Sequence, residues 1–434
     1  MSLLLTNLKH FGITFLILLS ALVCFGLIIG ADAHLFEDKL AYQLEGEVHV
    51  FYEDGQTVAR VIKGDNDRGF TVETVVLAST AVNDLATTDQ IDSSGQAKPS
   101  IEQNYIEQSY TEKNAAGATT LKLVFPEDGS HFNVVIPEFT QIDGNLTIPT
   151  ITTPPALYQD DEPIIAISDI ESGFGAFRQF LVTHGVADLQ LNWTFGKGHL
   201  VLVGDFVDRG ASTTQVLWAI YKLELAAREA GGQVHFIIGN HEIKNLQGNF
   251  QSANEKYFYI AGMLGKQQYQ LFDDNALLGR WLASKNVLEV INGVAFVHGG
   301  LHPDVAQYQL SVAEINQIVR SGYRTLYYSP ATVSKTSFLQ SSTTGPAWYR
   351  GYFKDDLTQQ EVELGLTAVG ATAVVVGHTL QGEVTARFNH KVFAIDVKHR
   401  KDYLFSFPLR SSEGLLIKNG QYFRLTEDGE MMAL

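Results

Sequence analysis

Apolar and polar positions follow two regimes along this chain, period-two alternation in the first third and short, nearly continuous apolar runs afterwards. Val48–Tyr52 and Thr57–Lys63 alternate around Asp54-Gly55, a pair suited to a tight hairpin turn. Phe70–Leu77, Thr120–Phe125 and His131–Ile136 read as further strands. No helical period of useful length interrupts them, so residues 34–148 are expected to form a small β-rich domain. Between Thr87 and Thr119 the chain is rich in Ser, Thr, Gln, Asn and Ala with few apolar anchors, the composition of a long mobile loop. Pro149, Pro154, Pro155 and Pro163, with threonines between, mark a stiff linker over residues 149–163.

From residue 164 to 434 strands alternate with helical stretches, which predicts an α/β domain. Apolar residues recur at helical spacing over Gly175–Thr183, Ser311–Arg320 and Thr213–Ala230, the last closed by Gly231-Gly232. Asn254–Lys285 also looks helical but is broken at Gly262 and Gly265, and its position suggests a cap. Lys391–Val397 and Gly414–Leu425 return to strand, the second turning at Asn419-Gly420. The apolar runs Pro163–Asp169, Leu200–Asp205, Val234–Asn240, Val294–Leu301 and Ala373–His378 each close on a cluster of glycine and polar residues. Buried strands look like this when their C-terminal ends deliver side chains to a loop. One such ending is ordinary turn chemistry. Five that end on Asp, Asn and His make a metal site the economical reading.

The chain has 434 residues and 45% apolar content, enough for two or three domains with a sizeable core. Its formal charge of −17 argues against nucleic acid as a partner, which needs a basic face, but leaves room for a small phosphorylated substrate. No charged residue occurs from Phe11 to Ala31, a length that suits a membrane anchor, while Ala31-Asp32-Ala33 resembles a signal-peptidase site. Residues 1–33 are therefore expected to be a signal peptide or anchor. Lys9 precedes the segment and Asp32, Glu37 and Asp38 follow it, so the remainder is expected to be exported, periplasmic or held on the outward face of the inner membrane. The only cysteine, Cys24, sits inside the segment, which leaves the exported part without disulfides or a thiol nucleophile.

Two neighbouring metal ions need carboxylates, an amide oxygen and imidazoles, and the strand ends offer Asp169, Glu171, Asp205, Asn240, His298 and His378. The motifs Gly204-Asp205-Phe206-Val207-Asp208-Arg209-Gly210, Gly239-Asn240-His241-Glu242, Val297-His298-Gly299-Gly300, Trp348-Tyr349-Arg350-Gly351 and Gly377-His378-Thr379 span about residues 163–400. In them the chain resembles the calcineurin-like metallophosphoesterases, and among these the bacterial Shewanella-like phosphoprotein phosphatases. That resemblance implies an α/β fold, a metallophosphoesterase β-sandwich flanked by helices. It implies two divalent metal ions, Asp205 bridging them, Asp169 on the first, and Asn240, His298 and His378 on the second. It further implies hydroxide activated by the two metals, His241 as general acid oriented by Asp208, and Arg209 and Arg350 on the phosphoryl oxygens. His302 and Glu242 receive no role.

One position departs from the family pattern. Where the family has Asp-x-His, this chain has Asp169-Ile170-Glu171, and a carboxylate in place of imidazole favours Mg²⁺ or Mn²⁺, with Fe and Zn as alternatives. The expected activity is hydrolysis of a phosphomonoester on protein Ser, Thr or Tyr, or of another small phosphoester. The alternatives are a nucleotide or diadenosine polyphosphate hydrolase, and a non-catalytic envelope binding protein with a decayed site. Glu171 alone favours the last.

Overall fold

The computed structural model describes residues 44–65, 69–79, 111–113, 119–125, 129–136, 141–142, 145–146, 151–400 and 411–434. The expected signal or anchor, residues 1–33, and most of the Thr87–Thr119 loop lie outside them. Among the described residues no helix is long and apolar enough to cross a membrane.

Two six-stranded sheets enclose a shared core. The first has the order Gln233–Phe236, His199–Leu202, Ile164–Ile167, Glu413–Lys418, Gln421–Thr426, Met431–Ala433, with its first three strands parallel and the others antiparallel. The second has the order Thr385–Arg387, Val392–Ala394, Ala373–Val376, Val294–Val297, Leu288–Ile291, Leu157–Tyr158, and Val392–Ala394, Ala373–Val376 and Val294–Val297 are parallel. Alternate residues of one strand serve two cores. Ile164, Ala166, Val201 and Val203 face the second sheet's Phe296, Val375 and Phe393. Ile165, Ile167, Leu200 and Leu202 pack beneath the helices. A strand buried on both sides needs apolar residues throughout, hence the continuous runs in the sequence.

The helices Phe174–Thr183 and Thr213–Glu229 bury Phe177, Phe180, Leu217, Trp218 and Ile220 completely. Each large apolar side chain so buried contributes roughly 1.5–3 kcal/mol relative to exposure. The N-terminal strands cover the same helices. Val48–Glu53, Gln56–Asp65 and Gly69–Ser79 form one antiparallel sheet and Thr111–Lys113, Thr119–Val124 and His131–Val135 another. Phe51, Ile62, Leu121 and Phe132 belong to one buried cluster with Trp218 and Phe177. The Trp218 indole donates to the Val48 carbonyl at 3.0 Å, and the Phe132 ring lies 5.9 Å from that of Phe174.

Two segments differ from the sequence reading. Asn254–Lys285 is a helix over Glu255–Met263, a 3₁₀ turn over Gln268–Leu271 and a second helix over Leu277–Ala283. Gly262 stays inside the first helix, and the break comes at Leu264-Gly265, where Gly265 takes a φ of +67°. Within the proline-rich 149–163 stretch, Leu157–Tyr158 pairs in parallel with Val290-Ile291 as an edge strand of the second sheet.

Candidate metal centre and cavity

Six strand ends, three from each sheet, open into one cavity of about 760 Å³ or its buried floor. Ile164–Ile167 leads to Asp169, His199–Leu202 to Asp205, and Gln233–Phe236 to Asn240, the first residue of the helix Asn240–Leu246. Val294–Val297 leads to His298, Ala373–Val376 to His378 and Val392–Ala394 to Asp396. Asp169, Glu171, Asp205, Asp208, Arg209 and His378 all have φ between 50° and 70°, the left-handed region that side chains disfavour. Such conformations persist where the surroundings impose them, and they gather at functional sites. Gly204 shows how close the backbones lie, since a Cβ there would stand 2.5 Å from His298 Nδ1 and 2.7 Å from Gly239 Cα.

Ligand atoms of Asp205, His298 and His378 all lie within 4.8 Å of one another, and all three residues are buried. His298 Nδ1 donates to the Val203 carbonyl at 2.7 Å, so Nε2 is the nitrogen presented to Asp205 Oδ2 and Asn240 Oδ1, each 3.1 Å away. A carbonyl accepts and never donates, which fixes the ring as a second-sphere partner does for a metal-bound histidine. His378 Nε2 is anchored likewise on the Trp348 carbonyl at 3.0 Å. Burial, with His298 nearby, drives His378 down to about 2, leaving it neutral as a ligand must be. Burial would lower His298 too, but the Asp205 and Asp169 carboxylates hold it up at about 10. Burial opposes the charge on Asp205, yet His298 and His241 bring it below the ordinary carboxylate range. A divalent cation answers the same need as the proton on His298.

Asp169 accepts from Ser168 Oγ and, at 3.1 Å, from the His378 backbone N–H. Burial, with Asp205 close by, pushes its carboxyl up to about 6. Asp396 is 7% exposed, and burial, with Asp169 close by, pushes it up to about 8. Buried carboxyls crowded in this way are stabilised by a cation between them. The donor set therefore fits divalent metal.

His241 Nδ1 donates to Asp208 Oδ2 at 2.7 Å, and Asn245 Nδ2 holds Asp208 Oδ1 at 2.7 Å. His241 Nε2 then lies 3.3 Å from Arg209 Nη2 and 3.8 Å from Asp205 Oδ2. Arg350 lines the same cavity, with Nη1 on the His378 carbonyl and, at 3.0 Å, Thr379 Oγ1. Burial lowers the pKa of its guanidinium, with Asp396 and Asp169 acting against that shift. Glu171 lies on the cavity wall, but its carboxylate forms an ion pair with Arg209 and stands outside the Asp205–His298–His378 group.

Three features were not read from the sequence. Asp396 escaped because the strand read as Lys391–Val397 ends at Ala394, which hid a strand-end carboxylate without a flanking glycine. Glu242 accepts four backbone N–H groups, from Gly239 at 2.8 Å, Asp205 at 3.0 Å, Phe206 at 2.8 Å and Val207 at 3.2 Å. It thereby binds the two motif loops together, and its place in the first turn after Gly239 was the available signal. Lys244, Lys354 and Lys398 add cationic groups to the cavity lining.

The sequence pattern of the calcineurin-like phosphoesterases matches residues 162–382. Shewanella-like protein phosphatase 2 of Arabidopsis thaliana is 25% identical over 291 residues, covering 55% of this chain and 72% of that protein. Shewanella-like protein phosphatase 1 of Plasmodium berghei is 25% identical over 243 residues, 54% of this chain and 66% of that protein. The crystal structure of a cold-active protein-tyrosine phosphatase from a psychrophilic Shewanella superposes with a TM-score of 0.61 at 28% identity, covering 75% of this chain and 98% of that one.

Proposed function

The chain belongs to the calcineurin-like phosphoesterases, metal-dependent enzymes, and from that premise we propose that it removes phosphate from phosphorylated Ser, Thr or Tyr of proteins. The observation that carries this reading is the meeting of Asp169, Asp205, Asn240, His298 and His378 with the His241–Asp208 pair and two arginines at one cavity. The similarity to protein phosphatases supports the phosphoprotein substrate class.

Asp169, Asp205, Asn240, His298 and His378 would hold two divalent cations, with Glu171 beside the first. Cations held there supply a reactive oxygen at neutral pH and offset phosphoryl charge. The preponderance of oxygen donors favours Mg²⁺ or Mn²⁺. Arg209 and Arg350 present planar donors to the phosphoryl oxygens, a geometry that guanidinium suits better than ammonium. His241, fixed by Asp208 through Nδ1, faces the cavity with Nε2 beside Arg209, and would give a proton to the leaving oxygen once Arg209 engages the phosphoryl group. The arginines and lysines in the cavity lining suit a phosphorylated side chain.

The test uses protein stripped of metal and reloaded separately with Mn²⁺, Mg²⁺ and Zn²⁺. Mn²⁺ or Mg²⁺ is expected to restore phosphate release from phosphopeptides with at least ~10-fold higher kcat/KM than from diadenosine tetraphosphate, about 1.4 kcal/mol of discrimination. The reverse preference would replace this reading with the nucleotide one. Export and membrane attachment through residues 1–33 belong to the same proposal and rest on the apolar Phe11–Ala31 stretch.

A further inference from the structure

Beyond that reading, and resting on its assignment of Arg209 to the phosphoryl group, we infer that Glu47, outside the family's matched residues, is a positioning residue for Arg209. Asp208 and Arg209 are consecutive non-glycine residues with φ of 70° and 60°. Backbone of this kind keeps its shape only where neighbours hold it.

Glu171, His241 and Asn245 hold the side chains of this pair, and the backbone after it is held by one stretch, Ser252 to Tyr257. The Arg209 N–H donates to the Ser252 carbonyl at 2.9 Å, and Asn254 Nδ2 donates to the Arg209 carbonyl at 3.1 Å. Two residues further along the loop, Lys256 Nζ and Tyr257 OH each donate to the Ala211 carbonyl at 2.9 Å. The Thr214 N–H closes the set on Tyr257 OH at 3.0 Å.

Lys256 is fully buried, and burial depresses its ammonium pKa. A buried ammonium keeps its proton only beside a counter-charge. That counter-charge is Glu47, itself 0% exposed, in an ion pair with Lys256. Gln215 Nε2 holds the same Glu47 oxygen at 3.0 Å, and the Trp218 indole pins the next residue, Val48, through its carbonyl. A line of contacts thus runs from the N-terminal strand through Lys256 to the loop that aims Arg209. Loss of the Glu47 charge removes the reason for Lys256 to stay protonated, weakens the charge-assisted half of the hold on the Ala211 carbonyl, leaving Tyr257 OH as its strong donor, and loosens the loop that carries Arg209.

A double-mutant cycle on the full-length, Mn²⁺-loaded protein separates positioning from mere stabilisation. The readout is the inhibition constant of inorganic phosphate, beside metal content and the thermal midpoint. Glu47→Gln is expected to weaken phosphate inhibition ~10-fold with Arg209 present and less than ~2-fold in an Arg209→Ala background, because coupled residues are non-additive. Metal content should be unchanged. Should Glu47→Gln fold poorly, Glu47→Gln with Lys256→Met removes both buried charges and goes through the same cycle. Equal losses in both backgrounds would overturn the inference and leave Glu47 a purely structural residue. If Arg209→Ala alone leaves phosphate inhibition unaltered, the role of Arg209 is wrong and the inference falls with it.

Discussion

At the scale of single residues, chemistry in this cavity is decided by what holds each group from behind. His241 has one nitrogen committed to Asp208, and Asp208 is itself held by Asn245, so the imidazole cannot turn away from the cavity. His241→Ala should therefore lower kcat on a phosphoserine peptide by roughly 10²–10⁴-fold, the usual worth of general acid–base catalysis. The loss should be smaller on p-nitrophenyl phosphate, whose leaving group needs little protonation, and metal content should hold. Kinetics on both substrates with elemental analysis checks this, and equal losses would remove His241 from the proton-donor role. Asp205, Asn240, His298 and His378 stood out in the sequence because each closes a buried apolar run beside a glycine. The partner of Glu171 was not, since its pairing with Arg209 depends on how two loops meet in space.

At the scale of elements, apolar runs marked most of the strands that carry the site but not how each is shared between two cores. Ile165 and Ala166 are both buried, against different layers, and no pattern on one strand says which faces which. The N-terminal strand carries its own pH dependence. Burial lowers His49 from 6.5 to about 4, and its Nε2 has no hydrogen-bond partner. With the folded value below the unfolded one, the unfolded chain binds the proton first as pH falls. The stability His49 contributes is thus complete above pH ~6.5 and lost as pH falls towards 4, about 3 kcal/mol in all. Urea denaturation of wild type and His49→Leu at pH 7 and pH 4 isolates it, because other titrating groups are common to both. The wild type should lose about 3 kcal/mol relative to the variant. A gap that does not change with pH would mean His49 takes up its proton in the fold as readily as in the unfolded chain, with Glu47 at 3.7 Å offsetting its burial.

Across the whole molecule, a chain of net charge −17 surrounds a cavity where Arg209, Lys244, Arg350, Lys354 and Lys398 stand beside the carboxylates of Asp169, Glu171, Asp205 and Asp396, whose charge bound cations would offset. A few cations placed together outweigh a distant acidic surface that salt screens, so a phosphorylated substrate is compatible with the acidic composition. Composition alone argued against nucleic acid but could not locate these cations. Hydrophobic patterning also separated an N-terminal β-rich stretch from the α/β remainder of the chain. It could not tell that the apolar faces of that stretch enter the core of the catalytic part, because alternation identifies a buried face without identifying its cover. On the proposed reading, strand ends from both sheets would hold two divalent cations, with the Asp205 carboxylate serving both. Elemental analysis of wild type and Asp205→Asn, each stripped and reloaded with Mn²⁺, tests it directly, with phosphopeptide turnover recorded on the same samples. The expected result is two ions per wild-type chain, with both ions and turnover lost together in the variant. Two ions retained by Asp205→Asn would contradict the shared carboxylate.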